Sequence, residues 1–212
     1  MEFDELLSIV GNSTLFRSSL LLAGNVDPAV IRVQLSRWVA AGKILQIRRG
    51  LYAIAPPYQK VKPHPFVVAN QLHRASYVSM QSALSYYGLI PEVLYSTTSV
   101  TTGRPERLET PLGVYEFRHI KTELLFGYQL VNLDEQQFLI ALPEKGLLDL
   151  LYLQPGADSI SYLAELRLQN LELLDERRLM QQAQVFGSAK IDKAVQLIFT
   201  KLPLEMEGLE RL

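Results

Sequence analysis

The chain has 212 residues, 48% of them apolar, and a formal net charge of −1, which suffices for one large domain or two small ones. Cysteine is absent, and this excludes a disulfide framework, a zinc finger, an iron–sulfur site and thiol catalysis. The opening Met1-Glu2-Phe3-Asp4-Glu5 lacks the basic start of a signal peptide, and no apolar run approaches the ~18 residues that span a bilayer, so the chain reads as soluble and cytoplasmic with no membrane partner.

Charge is unevenly distributed. Residues 1–63 carry eight Lys and Arg against four acids, a local +4, and the remainder carries −5. A partner feels this local field more than the total, so a polyanion-facing head joined to an acidic body is expected.

Phe3, Leu6, Leu7 and Val10 recur at helical spacing and stop at Gly11-Asn12, predicting a first helix over 2–10. Ser13 is a candidate cap for a second helix over 14–22, ended by the turn Ala23-Gly24-Asn25. Asp27-Pro28 then opens a third helix, with Asp at the cap and Pro at the first helical position, running to Ala41-Gly42. At 100° per residue Ile31, Leu35, Trp38 and Val39 share one stripe and face the preceding helices. The opposite side shows Ala29, Val33, Ser36 and Arg37, with Arg32 and Gln34 at the flank. Arg and Gln can contact guanine and adenine edges, and small neighbours permit close approach to a major groove.

Next comes a hairpin over Lys43 to Ile54. Ile44, Gln46 and Arg48 are expected on one face and Leu45 and Ile47 on the other, with Arg49-Gly50 as the turn. Three helices and a basic-tipped hairpin predict a winged helix-turn-helix over 1–55, with Lys43, Arg48 and Arg49 on phosphate or in the minor groove. The competing reading is a small helical domain with a capping hairpin. Residues 56–65 hold four prolines and read as a linker.

Beyond it, helices are expected over about 66–74 and 80–87, and strands over 75–78, 96–102, 113–120, 126–131 and 137–142, with 103–107 a polar connection. Helices follow over 143–153, 159–168, 175–186 and 188–201, capped by Asp158, Asp175 and Ser188. The fold class is therefore α+β: the winged module, then residues 66–212 as an α+β domain with a small mixed sheet and a helical C-terminal half.

Three stretches resemble the AbiEi family of antitoxins and transcriptional regulators in type IV toxin–antitoxin systems. They are Arg48-Arg49-Gly50-Leu51-Tyr52, Ser79 to Leu89 (including Ser82, Tyr87 and Gly88), and Ala141 to Tyr152 (including Glu144, Lys145 and Asp149). The resemblance spans residues 1–155 and implies a winged helix that represses its own operon by binding double-stranded operator DNA. It also implies a body that counters a co-encoded nucleotidyltransferase-like toxin without forming a stable complex. Gly146 departs from the helix-favouring Ala expected there, at ~1 kcal/mol of helix stability.

Glu144, Lys145 and Asp149 are the most enzyme-like cluster. A metal-dependent nuclease with a winged head is thus one alternative, and a solitary regulator or a protein-interaction module without a toxin is another. Adjacent Glu144 and Lys145 would point apart on a strand, whereas on a helix Glu144 meets the dipole and Lys145 pairs with Asp149 at i,i+4. A structural or antitoxin role is therefore expected, with no catalytic residue and no cofactor. His64, His73 and His119 lack metal-ligand spacing, so no metal is expected. His64 reads as exposed linker, and the other two as surface or hydrogen-bonded residues.

Overall fold

Capping chemistry sets the first boundaries in the computed structural model, which describes residues 1–22, 27–92 and 94–200. Helix α1 (Phe3–Val10) buries Phe3, Leu6 and Val10. The Asp27 side chain accepts a 2.8 Å hydrogen bond from the Ala29 amide, and Pro28 opens helix α2 (Pro28–Ala40), which buries Ile31, Leu35 and Trp38. Helix α1 was legible from its periodicity and its stop at Gly11, and α2 from its cap and periodicity.

The segment between them corrects the sequence reading. Instead of an α-helix over 14–22 capped by Ser13, the chain forms strand β1 (Phe16–Arg17) and a 3-10 turn (Ser18–Leu22). Phe16 is buried and stacks on Tyr52 at 5.7 Å, so tertiary pairing overrides a short and ambiguous apolar pattern. The turn expected at Ala23-Gly24-Asn25 lies outside the described residues.

Strands β2 (Ile44–Arg48) and β3 (Leu51–Ile54) form the hairpin, and a three-stranded sheet runs in the order β1-β3-β2. The turn at Arg49-Gly50 is present, with Gly50 at φ +79° where an L side chain would be strained. Strict alternation fails, because the register shifts between Gln46 and Arg48. That irregularity buries both Ile44 and Ile47, the first in the head's core with Trp38 and the second in the body's core.

The proline-rich stretch is packed onto its neighbours. Pro63 is buried and Tyr58 meets Phe3 edge-on at 4.9 Å. The His64 amide donates to Gln136 Oε1 at 2.8 Å. Contrary to its reading as exposed linker, His64 is half-buried, and its Nδ1 accepts from the Phe66 amide at 3.2 Å to cap helix α3 (Pro65–Leu72). Its ring stacks on Phe138 at 5.1 Å.

Burial holds the His64 pKa below 6.5. Above pH 6.5 the ring is neutral in both folded and unfolded chains. As pH falls below that, the unfolded chain takes up a proton that the folded chain resists, so stability declines until the lower folded pKa is passed. Urea titrations from pH 7 to 5 should show a steeper loss for the wild type than for His64→Asn, which keeps a capping acceptor but cannot titrate, by at most about 1.4 kcal/mol per pH unit. Equal slopes would contradict this role.

The body follows with β4 (Ser76–Val78), α4 (Met80–Tyr86), β5 (Ser96–Thr101), β6 (Glu106–Thr110), β7 (Gly113–His119), β8 (Tyr128–Leu133) and β9 (Gln136–Ala141). These strands make a mixed six-stranded sheet in the order β6-β7-β5-β4-β9-β8. The β5–β7 and β4–β9 pairs are parallel and the others antiparallel. Strand β6 was read as connection as far as residue 107. Its charged Glu-Arg-Leu-Glu-Thr sequence has little strand propensity of its own and gains its conformation from pairing with β7 at the sheet edge.

Helices α5 (Pro143–Leu153), α6 (Ile160–Glu165), α7 (Glu176–Phe186) and α8 (Ala189–Thr200) complete the α+β fold. Asp175 caps α7 as expected, accepting from the Arg178 amide. Asp158 does not cap α6. Ser159 takes that place, and Asp158 pairs with Lys193 at 2.9 Å.

Candidate nucleic-acid interface and the buried motif cluster

Because Ile31, Leu35 and Trp38 point inward, α2 turns Arg32, Val33, Ser36 and Arg37 to solvent, with Gln34 half-buried at the flank. Arg32 is exposed, and its Nε donates to the Pro28 carbonyl one turn back at 3.3 Å, which lays the side chain along its own helix. A cleft of about 450 Å³ opens between α2 and the hairpin. Arg32 and Ser36 line one side, Arg49, Gln46 and Tyr52 the other, and Ser18 and Gly50 its end. Among the described residues no carboxylate lines it, so the two arginines set its electrostatic sign. Sequence reasoning missed Ser18, Gln46 and Tyr52 as neighbours of this cleft. The signal was available only for Gln46, which sits next to the basic turn.

The seven residues expected on this surface do not all gather at the cleft. Arg32, Ser36 and Arg49 line the α2–hairpin cleft, whereas Arg37 is exposed on α2 outside it and Gln34 is half-buried on the far flank of that helix. Lys43 Nζ instead lies 4.7 Å from the Phe3 ring centre, held against α1. Arg48 faces the body, where its guanidinium makes a forked pair with Glu106 of β6 at 3.0 and 3.3 Å. The pair is partly exposed and adds at most about 1 kcal/mol to stability. Its consequence is positional. Arg17 Nη2 of β1 donates to the Gln71 carbonyl of α3 at 2.8 Å, and Ile47, Leu51 and Ala53 are buried in the body's core, so together with the Arg48–Glu106 pair the small sheet is fixed to the body.

The second motif forms α4 and the residues that follow it. Ser82 Oγ accepts from the Thr98 amide at 2.8 Å and ties α4 to β5. The Tyr87 hydroxyl donates to the Ala141 carbonyl at 3.0 Å, and its pKa is pushed up mainly by burial. Gly88 takes φ +72°, and its carbonyl accepts from Asn170 Nδ2 at 2.9 Å. All three serve packing of the body.

The third motif is buried from Glu144 to Leu151. Glu144 sits in the first turn of α5, where the helix dipole favours a carboxylate. Its Oε1 accepts from the Asp175 amide at 2.8 Å, and Oε2 faces Arg178 Nη1 at 3.5 Å, so it anchors the start of α7. Lys145 donates to Asp149 one helical turn on, the i,i+4 pair expected from the sequence, and neither has solvent exposure. Lys145 Nζ also lies 4.9 Å from the Phe186 ring, 5.0 Å from Phe126 and 5.6 Å from Tyr77. These ring faces favour a cation.

Asp149 Oδ2 accepts from the Ser79 hydroxyl at 2.7 Å and the Tyr77 hydroxyl at 3.0 Å. Burial raises the Asp149 pKa and lowers that of Lys145, and their mutual attraction opposes both shifts. Tyr77 is driven up by burial and by the Asp149 charge. Tyr77 and Ser79 were not foreseen as partners of Asp149, although their two-residue spacing at β4 puts them on one side of the chain. The close fit of α5 on α4 also accounts for Gly146, because a Cβ there would stand 3.1 Å from the Ala83 Cβ.

His73 Nδ1 lies 3.3 Å from the Thr101 hydroxyl and His119 Nδ1 2.9 Å from the Gly103 carbonyl, both hydrogen-bonded as anticipated. Among the described residues no three His, Asp or Glu side chains gather as a metal site, and no helix is long and apolar enough to cross a membrane.

No protein-family profile and no curated relative matches this sequence. A solved structure does resemble it, the RV2827C protein from Mycobacterium tuberculosis. The likeness has a TM-score of 0.54 at 15% identity and covers 91% of this chain and 75% of that one. At that identity it is a likeness of fold alone.

Proposed function

We propose that residues 1–55 are a winged helix-turn-helix that binds double-stranded DNA, and that the chain is a cytoplasmic, sequence-specific autoregulator acting as the antitoxin of a type IV system. The observation that supports this reading best is the cleft between α2 and the hairpin, lined by Arg32 and Arg49 and, among the described residues, by no carboxylate. Helix α2 enters the major groove with Arg32, Gln34, Ser36 and Arg37, and Arg49 holds an adjacent phosphate. The 3-10 turn takes the place of the middle helix. The body, built around Glu144, Lys145 and Asp149, counters a nucleotidyltransferase-like toxin without a stable complex, as the three AbiEi-like stretches imply. Co-expression with a neighbouring nucleotidyltransferase-like gene should restore growth, and failure to do so leaves a DNA-binding regulator with no antitoxin role.

Arg48 is held against the body by Glu106, so in this account it reaches DNA phosphate only where that pair is broken. Glu106→Gln removes the charge that holds it. Binding to the chain's own upstream DNA should tighten, and the slope of log affinity against log salt should steepen by about one phosphate contact. An unchanged slope would keep Arg48 out of the interface.

A further inference from the structure

The two edges of the six-stranded sheet differ in kind. Strand β6 closes one edge with Glu106, Arg107 and Glu109, charges that discourage pairing, and its Glu106 is held by Arg48 of the hairpin. Strand β8 closes the other with Tyr128-Gln129-Leu130-Val131-Asn132-Leu133, a stretch without charge or proline. It pairs with β9 over all six residues in unbroken register. Among the described residues nothing pairs with its outer side. Tyr128, Leu130 and Leu133 are 41%, 54% and 38% exposed. A regular, uncharged, partly apolar edge presents unpaired N–H and C=O groups to any strand that can lie alongside.

We infer that this edge pairs with the β8 of a second copy of the chain, antiparallel and about a two-fold axis, joining two sheets into one of twelve strands. Charge selects this occupant and this direction. The strand itself carries no charge, so two copies meet without repulsion. The nearest exposed acids along the chain are Asp134 and Glu135, in the turn that leads to β9. Antiparallel pairing carries the two acidic turns to opposite ends of the seam, about 20 Å apart for six residues. Parallel pairing would set them side by side.

A two-fold axis normal to the sheet pairs residues of the same parity, so Tyr128, Leu130 and Asn132 of one copy face the same three positions of the other. Leu130 lies near the middle. The inference does not depend on DNA binding.

Sedimentation of the full-length protein over a concentration series tests it. The wild type should show a mass twice that of the monomer, falling on dilution. Leu130→Lys and Leu130→Glu each place like charges across the seam and should run as monomers with unchanged circular dichroism. An equimolar mixture of the two should recover the doubled mass. A wild type that stays monomeric at about 100 µM, around which many weak pairs assemble, overturns the inference and leaves the edge to a strand of another protein. A dimer that survives both single substitutions also overturns it.

Discussion

Asp149→Ala should destabilise the fold by about 3–5 kcal/mol, the loss seen when one member of a buried ion pair is removed. The Lys145 ammonium would then have only the faces of Phe126, Phe186 and Tyr77, which supply a modest attraction in place of a full charge. Lys145→Met should cost a comparable amount, since it strands a carboxylate with no solvent exposure, although the Ser79 and Tyr77 hydroxyls still donate to it. The double variant Lys145→Met/Asp149→Ala leaves no unpaired charge. It should cost less than the sum of the singles by about 2–3 kcal/mol, a coupling energy of the size found for residues in one network. Chemical denaturation of the four proteins measures this, and strict additivity would show that the two side chains do not act as a pair.

This cluster shows why the sequence was informative about some parts of the site and silent about others. The spacing of Lys145 and Asp149 along one helix is local, and so their pairing was legible. Tyr77 lies in β4 and Ser79 just after it, some seventy residues earlier, and only the packing of α5 on the body brings them to Asp149. Gly146 looked like a weak point in a helix, whereas its missing side chain allows α4 and α5 to approach. The same division holds in the head. Asp27, Pro28 and the Ile31-Leu35-Trp38 stripe specify α2 from local rules. Phe16 belongs to a strand because Tyr52 lies opposite it, which no window of neighbouring residues contains. Arg48 was expected to face phosphate on the strength of its place near a turn, and its Glu106 partner sits on a strand that the sequence barely signalled.

The second large effect concerns Arg37 and Arg49, which differ in what they are placed to touch. Arg37 projects from the exposed face of α2, where a guanidinium can fork onto a guanine edge. Arg37→Ala should therefore weaken binding to the chain's own upstream duplex by about 1–3 kcal/mol while leaving a scrambled duplex nearly unaffected. Arg49 lies at the hairpin turn, beside the cleft shared with Arg32. Arg49→Ala should weaken both duplexes alike and reduce the salt slope by about one contact. Lys43, held over the Phe3 ring, should matter less than either.

The measurement that tests the proposed DNA-binding role of residues 1–55 most directly is fluorescence anisotropy of the two duplexes with the wild type, Arg37→Ala and Arg49→Ala proteins across a salt series. The account predicts tighter binding of the upstream duplex by the wild type, a selective loss for Arg37→Ala, and an unselective loss with a shallower salt slope for Arg49→Ala. No binding of either duplex at low salt, or equal losses from both substitutions on both duplexes, would contradict it.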